Sequence, residues 1–225
     1  MIERLRIPAL LFAFALTALP SAAATTLSAS PHGAEANFVV SAQQRLSALY
    51  PTADAAEKAG YIRYNNEDKT GAISYANTQW TASDLDHPSQ LWYDVAGRLL
   101  GADYTRPYSV NGVKAPIPKM WGLDAKRWFK YPGHVHYVYK DAAGAMVYGH
   151  GMKTSKYVAA GGSVTDPQGQ PLTTITPVKD AASITHVFVF PDMWDVELWV
   201  VPNPLGAFAE KNPLVHPSKD AKGEM

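Results

Sequence analysis

The sequence predicts a mainly β, α+β protein: an antiparallel barrel or sandwich built from hairpins, with two short N-terminal helices packed on one side. Three observations carry this. From Tyr61 onward apolar residues recur with period two, turn residues punctuate the chain at short intervals, and helical periodicity is confined to the residues before Gly60.

The elements follow in order. "MIERLRIPALLFAFALTALPSAAATT" sets Arg4 and Arg6 before an apolar run that ends in small residues, the arrangement of a secretory signal peptide, so residues 1–24 are expected to be removed. The run is shorter than the roughly 20 apolar residues of a membrane span, and no later segment qualifies. Residues 25–35 read as a flexible N-terminus, 36–205 as a single mainly-β domain, and 206–225 as a proline-rich tail that wraps the body and ends in disorder. "NFVVSAQQRLSALYP" carries Phe38, Val39, Leu46 and Leu49 at helical spacing and is stopped by Pro51. "TADAAEKAG" opens with Thr52 or Asp54 as N-cap and closes at Gly60. Four hairpins are then expected: "YIRYNNEDKTGAISYANTQW", "QLWYDVAGRLLGADY" turned at Ala96 and Gly97, "HVHYVYKDAAGAMVYGHG", and "ITHVFVF" with "DVELWVVP" around Pro191 to Trp194.

Composition narrows the function classes. The chain has 225 residues and no cysteine, which excludes disulfides, thiolate metal sites, covalent haem attachment and a lipid-modified cysteine. With the signal peptide, this points to a periplasmic or secreted protein. Lysine plus arginine equal aspartate plus glutamate at 20 each, and the cations are scattered among acids. There is no basic stripe to release counterions, so no nucleic-acid partner is expected. The nucleophile elbow, Walker loop, dinucleotide fingerprint and zincin helix motifs are all absent, which lowers the prior for common hydrolases and nucleotide enzymes.

The third hairpin carries the strongest chemical pattern. His134 and His136 are alternate residues of one strand, so they share a face with backbones roughly 6.6 Å apart, two strand rises. "DAAG" suits a three-residue loop, with Asp141 opening a type I turn and Gly144 in the left-handed position. That loop pairs Asp141 with Ala145 and brings His150 opposite His136; a loop of other parity sends His150 to the other face. Three neutral imidazoles suit zinc, copper or iron with an open position for water or substrate. His186 or Glu197 would supply a further ligand if the last hairpin closes around Pro191 to Trp194. Strand histidines are as readily surface or satisfied core residues. The sequence alone therefore leaves the metal site as a candidate.

Over about ten residues, "PGHVHYVYKD" resembles the first cupin motif: a glycine, His-x-His, then an acid. The resemblance implies His134 and His136 as metal ligands. Asp141 stands where cupins usually carry glutamate, and the second cupin motif has no clear match, so the resemblance stops at this segment. "YDVAGRLLGADY" likewise resembles one unit of the tyrosine-aspartate repeats of large secreted shells, but a single copy reads as a hairpin.

Other patterns have plainer readings. "NNEDKTGAI" imitates an EF-hand loop but has Asn66 and Asn77 where the first aspartate and last glutamate belong, so a glycine turn is the better account. Asp84 with Asp86, and Asp192 and Asp195 with Glu197, offer paired carboxylates near tryptophans, the raw material of a glycosidase. Six tryptophans and twelve tyrosines are many for this length; most are expected in the core, and a barrel mouth that kept some exposed would be a pocket for an apolar or aromatic ligand. The expected function is small-ligand binding, with a candidate metal site at His134, His136 and His150. The alternatives are a cupin-like metalloenzyme on the same histidines and a non-catalytic envelope interaction protein.

Overall fold

The computed structural model describes residues 33–221. The expected signal peptide lies outside the described residues. Helix α1 (Gly33–Leu49) begins within the stretch expected to be flexible. Its early start has a local cause. The Glu35 carboxylate is buried and held by Arg127 at 2.7 Å, and it accepts the Asp124 backbone N–H. Helix α2 (Ala53–Lys58) follows, with the Thr52 side chain accepting from the Ala55 N–H as N-cap and Gly60 at φ +88° after its end.

The rest is mainly antiparallel β, and among the described residues no sheet closes into a barrel. The first sheet contains β1 (Ile62–Arg63), β2 (Ile73–Ala76), β3 (Gln90–Tyr93) and β4 (Leu99–Pro107) in sequence order. A small ribbon of β5 (Ser109–Val110) and β6 (Val113–Lys114) stands apart. Strand β7 (Phe129–Tyr131) belongs to the first sheet, and β8 (His134–Lys140) opens the second. There it pairs with β9 (Met146–Tyr148), β10 (Met152–Lys153) and β11 (Ile184–Phe190). Helices α3 (Thr154–Ala159) and α4 (Leu172–Ile175) lie between β10 and β11 in sequence. Strand β12 (Met193–Trp199) returns to the first sheet between β4 and β7.

One turn chemistry recurs. Asp68, Asp94 and Asp141 each open a loop whose fourth residue is a glycine with positive φ: Gly71, Gly97 and Gly144 at 84°, 74° and 83°. In each the aspartate Oδ1 accepts the backbone N–H groups two and four residues ahead. The aspartate thus supplies acceptors that the loop backbone lacks, and glycine takes the left-handed conformation without a Cβ penalty.

The expected fourth hairpin does not form. Strands β11 and β12 are joined at Pro191 and Asp192 but belong to different sheets. Pairing of β8 with β11 and of β7 with β12 keeps one register throughout, from Val138 opposite His186 to Phe129 opposite Asp195. The two segments therefore make one antiparallel ribbon, folded over at Pro132–Gly133 and Pro191–Asp192. Asp192 pins the fold: its Oδ1 accepts the Gly133 N–H at 2.7 Å and its Oδ2 pairs with Lys130 at 2.6 Å. Proline and aspartate, which suit a tight hairpin, here serve a corner between sheets.

The corner gives the first sheet two covered faces. One, with Tyr75, Leu91, Tyr93, Tyr104, Val196 and Leu198, packs on Phe38, Ala42 and Leu46 of α1. The other meets the second sheet, where Tyr64, Ala76 and Met193 pack against Val138, Phe188 and Phe190. The outer face of the second sheet buries Val135 and Tyr137 against Tyr157 of α3 and Leu172 of α4. Residues after β12 run back along the molecule. The Trp199 N–H and Nε1 donate to the Ala207 and Ala209 carbonyls, and the Ser218 N–H donates to Glu67.

Candidate functional site in the layer between the sheets

The parity of β8 decides what enters this layer. His134, His136 and Val138 point inward, opposite Phe190, Phe188 and His186, while Val135, Tyr137 and Tyr139 point out. The His134 and His136 rings lie 5.2 Å apart between centroids, edge to face. His134 stacks on Phe190 at 4.7 Å and meets Tyr131 at 5.0 Å. His136 meets Tyr64 at 4.8 Å.

The chemistry of the pair is set by burial. His134 Nδ1 lies 3.0 Å from the Pro132 carbonyl, which can only accept, so the proton belongs on Nδ1 and the Nε2 lone pair is left for another partner. Burial lowers the pKa of His134, and lowers that of His136 to about 3 with a smaller contribution from His134. Both rings are neutral at pH 7. His136 Nδ1 is buried with no hydrogen-bond partner among the described residues.

The facing strands of the first sheet add carboxyl groups. Asp103 of β4 lies opposite Glu197 of β12 on one side and opposite Gln90 of β3 on the other; Asp195 lies opposite Thr105. Asp103 and Asp195 are 5% and 2% exposed, and each has an Oδ1 without a partner among the described residues. Trp92 Nε1 donates to the other Asp103 oxygen at 3.1 Å. Burial pushes both carboxyls well above the usual range, and the neighbouring acids push further. Glu197 is raised by burial and by Glu210 and Asp68. Burial thus shifts Asp103 and Asp195 toward the protonated form, in which a carboxyl can donate a proton in a hydrogen bond.

Two phenols join the histidines to the acids. Tyr64, whose hydroxyl donates to Gln90 Oε1, and Tyr131 are both raised by burial first and by the Asp103 charge next. Tyr64 is buried, whereas Tyr131 keeps 36% of its surface in solvent. Tyr131 and His134 therefore form the rim of the layer, and Asp103, Asp195 and His136 its interior.

The remaining sequence candidates fall elsewhere. The β8–β9 ladder has the register that "DAAG" implies, with Tyr148 opposite Val138 and the Asp141 N–H donating to the Ala145 carbonyl. The ladder resumes with Met152 opposite Val135, so Gly149, His150 and Gly151 oppose only Tyr137 and His136. This bulge puts Gly151 over the His136 ring, where a Cβ would come within 2.9 Å, and leaves His150 on the exposed surface. His186 faces Val138 near the end of β8 and stacks on Phe188 at 5.9 Å; Glu197 is in the other sheet. Among the described residues no three histidine, cysteine or acidic side chains are placed to hold a metal ion. The carboxylates read as a glycosidase pair also separate: Asp84 and Asp86 are engaged by His87 and Arg45 on a loop, while Asp195 is buried in the layer.

Sequence reasoning missed Asp103, Tyr64, Gln90 and Tyr131. The one available signal is the polar phase of "GADYT", where Asp103 and Thr105 alternate with Ala102 and Tyr104. Comparison with known proteins returns no match: no family model, curated protein or solved structure matches the chain.

Proposed function

We propose that this chain is a small-ligand-binding protein whose site is the layer between the sheets, entered at Tyr131 and His134. The observation that carries this is the coincidence of three buried, unpartnered polar atoms in one layer: His136 Nδ1, Asp103 Oδ1 and Asp195 Oδ1. Each buried polar group left unpaired costs roughly 1–3 kcal/mol, so a structural core selects against collecting them. A ligand with matching donors and acceptors would recover that cost. Neutral imidazoles beside buried carboxyls shifted toward their protonated form suit an uncharged polar ligand better than an ion, because burial disfavours charge in the layer. The leader-like N-terminus supports a periplasmic or secreted setting for this role.

A second reading has its own observation. The Pro132 carbonyl orients His134 as metal-ligating histidines are oriented, with Nε2 left as the donor atom. Zinc, copper or iron held there would take His134 and His136 from the protein and its other ligands from solvent or a bound molecule. Two imidazoles make a weaker site than the three protein ligands usual for catalytic zinc.

Elemental analysis and thermal-shift measurements on untagged protein test both readings. The probes are zinc, copper(II), iron(II), glucose, glycerol, urea and acetamide, applied to wild type and to a His134→Ala, His136→Ala double variant. The proposal expects at least one probe to raise the wild-type Tm and to lose that effect in the variant. Equal responses of the two proteins to every probe would contradict it.

A further inference from the structure

On the opposite face of the first sheet, a groove of about 480 Å³ opens between the end of β4 and the strap of residues 115–120. Its floor is the Trp194 indole, fixed by a hydrogen bond from Nε1 to the Ala115 carbonyl at 3.1 Å and packed on Tyr108 with centroids 5.0 Å apart. Pro116, Pro118 and Met120 supply apolar walls, and Arg106 and Lys119 are the cations that line it. Lys114 stands over the Tyr108 and Trp194 rings at 5.3 and 5.9 Å.

The charge in this groove is uncompensated. Among the described residues no ion pair engages Arg106, Lys114 or Lys119, while the carboxylates of Asp84, Asp86 and Asp192 are taken by His87, Arg45 and Lys130. Among the described residues Arg106 reaches a protein acceptor only at the Ser83 carbonyl, 3.5 Å from one guanidinium nitrogen. Its planar fork is matched to a carboxylate, which two parallel N–H groups can hold. An aromatic floor, apolar walls and a few convergent polar groups in a few hundred Å³ are the makings of a small-molecule site.

We propose that this groove binds a small carboxylate with an aromatic or branched apolar body. The body lies on Trp194 against Met120 and the two prolines, and the carboxylate meets Arg106 with Lys119 beside it. The groove uses residues on the α1 side of the sheet, so it is independent of the histidine layer.

The test is ligand-observed NMR on the full chain with phenylacetate and its neutral amide, phenylacetamide. The proposal expects phenylacetate to bind about tenfold more tightly than the amide, with that preference lost in Arg106→Gln and partly kept in Arg106→Lys. Met120→Trp, which fills the groove, should weaken both ligands, and the His134→Ala, His136→Ala variant should bind as wild type does. Equal affinity for acid and amide, indifference to Arg106→Gln, or no binding of either at about 10 mM would overturn the proposal. So would a dimer that Val113→Lys dissociates in a protein that does not bind phenylacetate, because the groove would then be a contact between copies.

Discussion

Asp195 and His136 titrate in opposite senses, and their sum fixes how stability varies with pH. His136 has a folded pKa of about 3 against an ordinary 6.5, so the unfolded chain binds the extra proton between those values. Its contribution to stability therefore falls as pH drops below 6.5, by up to about 1.4 kcal/mol per pH unit for each such proton. Asp103 and Asp195 have folded pKa values above the ordinary 3.8. Their contribution is fully present below 3.8 and is lost as pH rises through the folded values. Between about pH 4 and 6.5 the two carboxyls outweigh the His136 imidazole, so the urea midpoint is predicted to be highest near pH 4 and to decline on both sides. Asp195→Asn keeps the shape and removes the charge, so it should flatten the alkaline decline and leave the acid one. A wild-type midpoint that climbs steadily through pH 8 would contradict this assignment.

At the scale of elements, what was legible in the sequence is what is determined locally. The β8–β9 loop could be read because Asp141 and Gly144 satisfy a turn by themselves, and the register follows from the loop. The bulge could not, because "GHG" offers two glycines and does not say what each must lie against. Both are pressed on rings, Gly149 on Tyr137 and Gly151 on His136. Gly151→Ala is predicted to destabilise the protein by about 1–3 kcal/mol through the Cβ contact with His136, as a lower denaturation midpoint would record. Gly144→Ala meets open space and should cost less, about 1 kcal/mol, for its positive φ alone. Asp141 tests the turn itself: its Oδ1 caps two backbone N–H groups, so Asp141→Ala should cost about 1–2 kcal/mol by the same measurement.

The molecule as a whole is organised by the folded-over ribbon, which was not legible. Alternation in "GADYT" divides a strand into two faces but cannot say that both will be covered, and Asp103 reads as solvent-facing although it is buried in the fold with the Trp92 indole bonded to it. That covering depends on β11 reaching β8 and β12 reaching β4, pairings across long sequence separations that no turn residue announces. The expected hairpin around Pro191 to Trp194 failed for this reason. Asp192 holds the corner, and Asp192→Ala is predicted to cost about 1–3 kcal/mol through the Gly133 N–H it leaves without its acceptor. The same variant should loosen the layer, seen as faster hydrogen exchange of the β8 and β11 amides while β3 and β4 stay protected.

The claim at the centre of this account is that the histidine layer is a site that small molecules enter. Diethyl pyrocarbonate, which acylates neutral imidazole nitrogens, tests it directly on the native protein at pH 6, with modified residues located by peptide mass spectrometry. The account predicts rapid modification of His134 at the rim, slower modification of His136 behind it, and protection of both by any probe that raises the Tm. Modification of His150 and His216 on the surface, with His134 and His136 untouched until the protein unfolds, would make the layer a sealed core and contradict the proposed function.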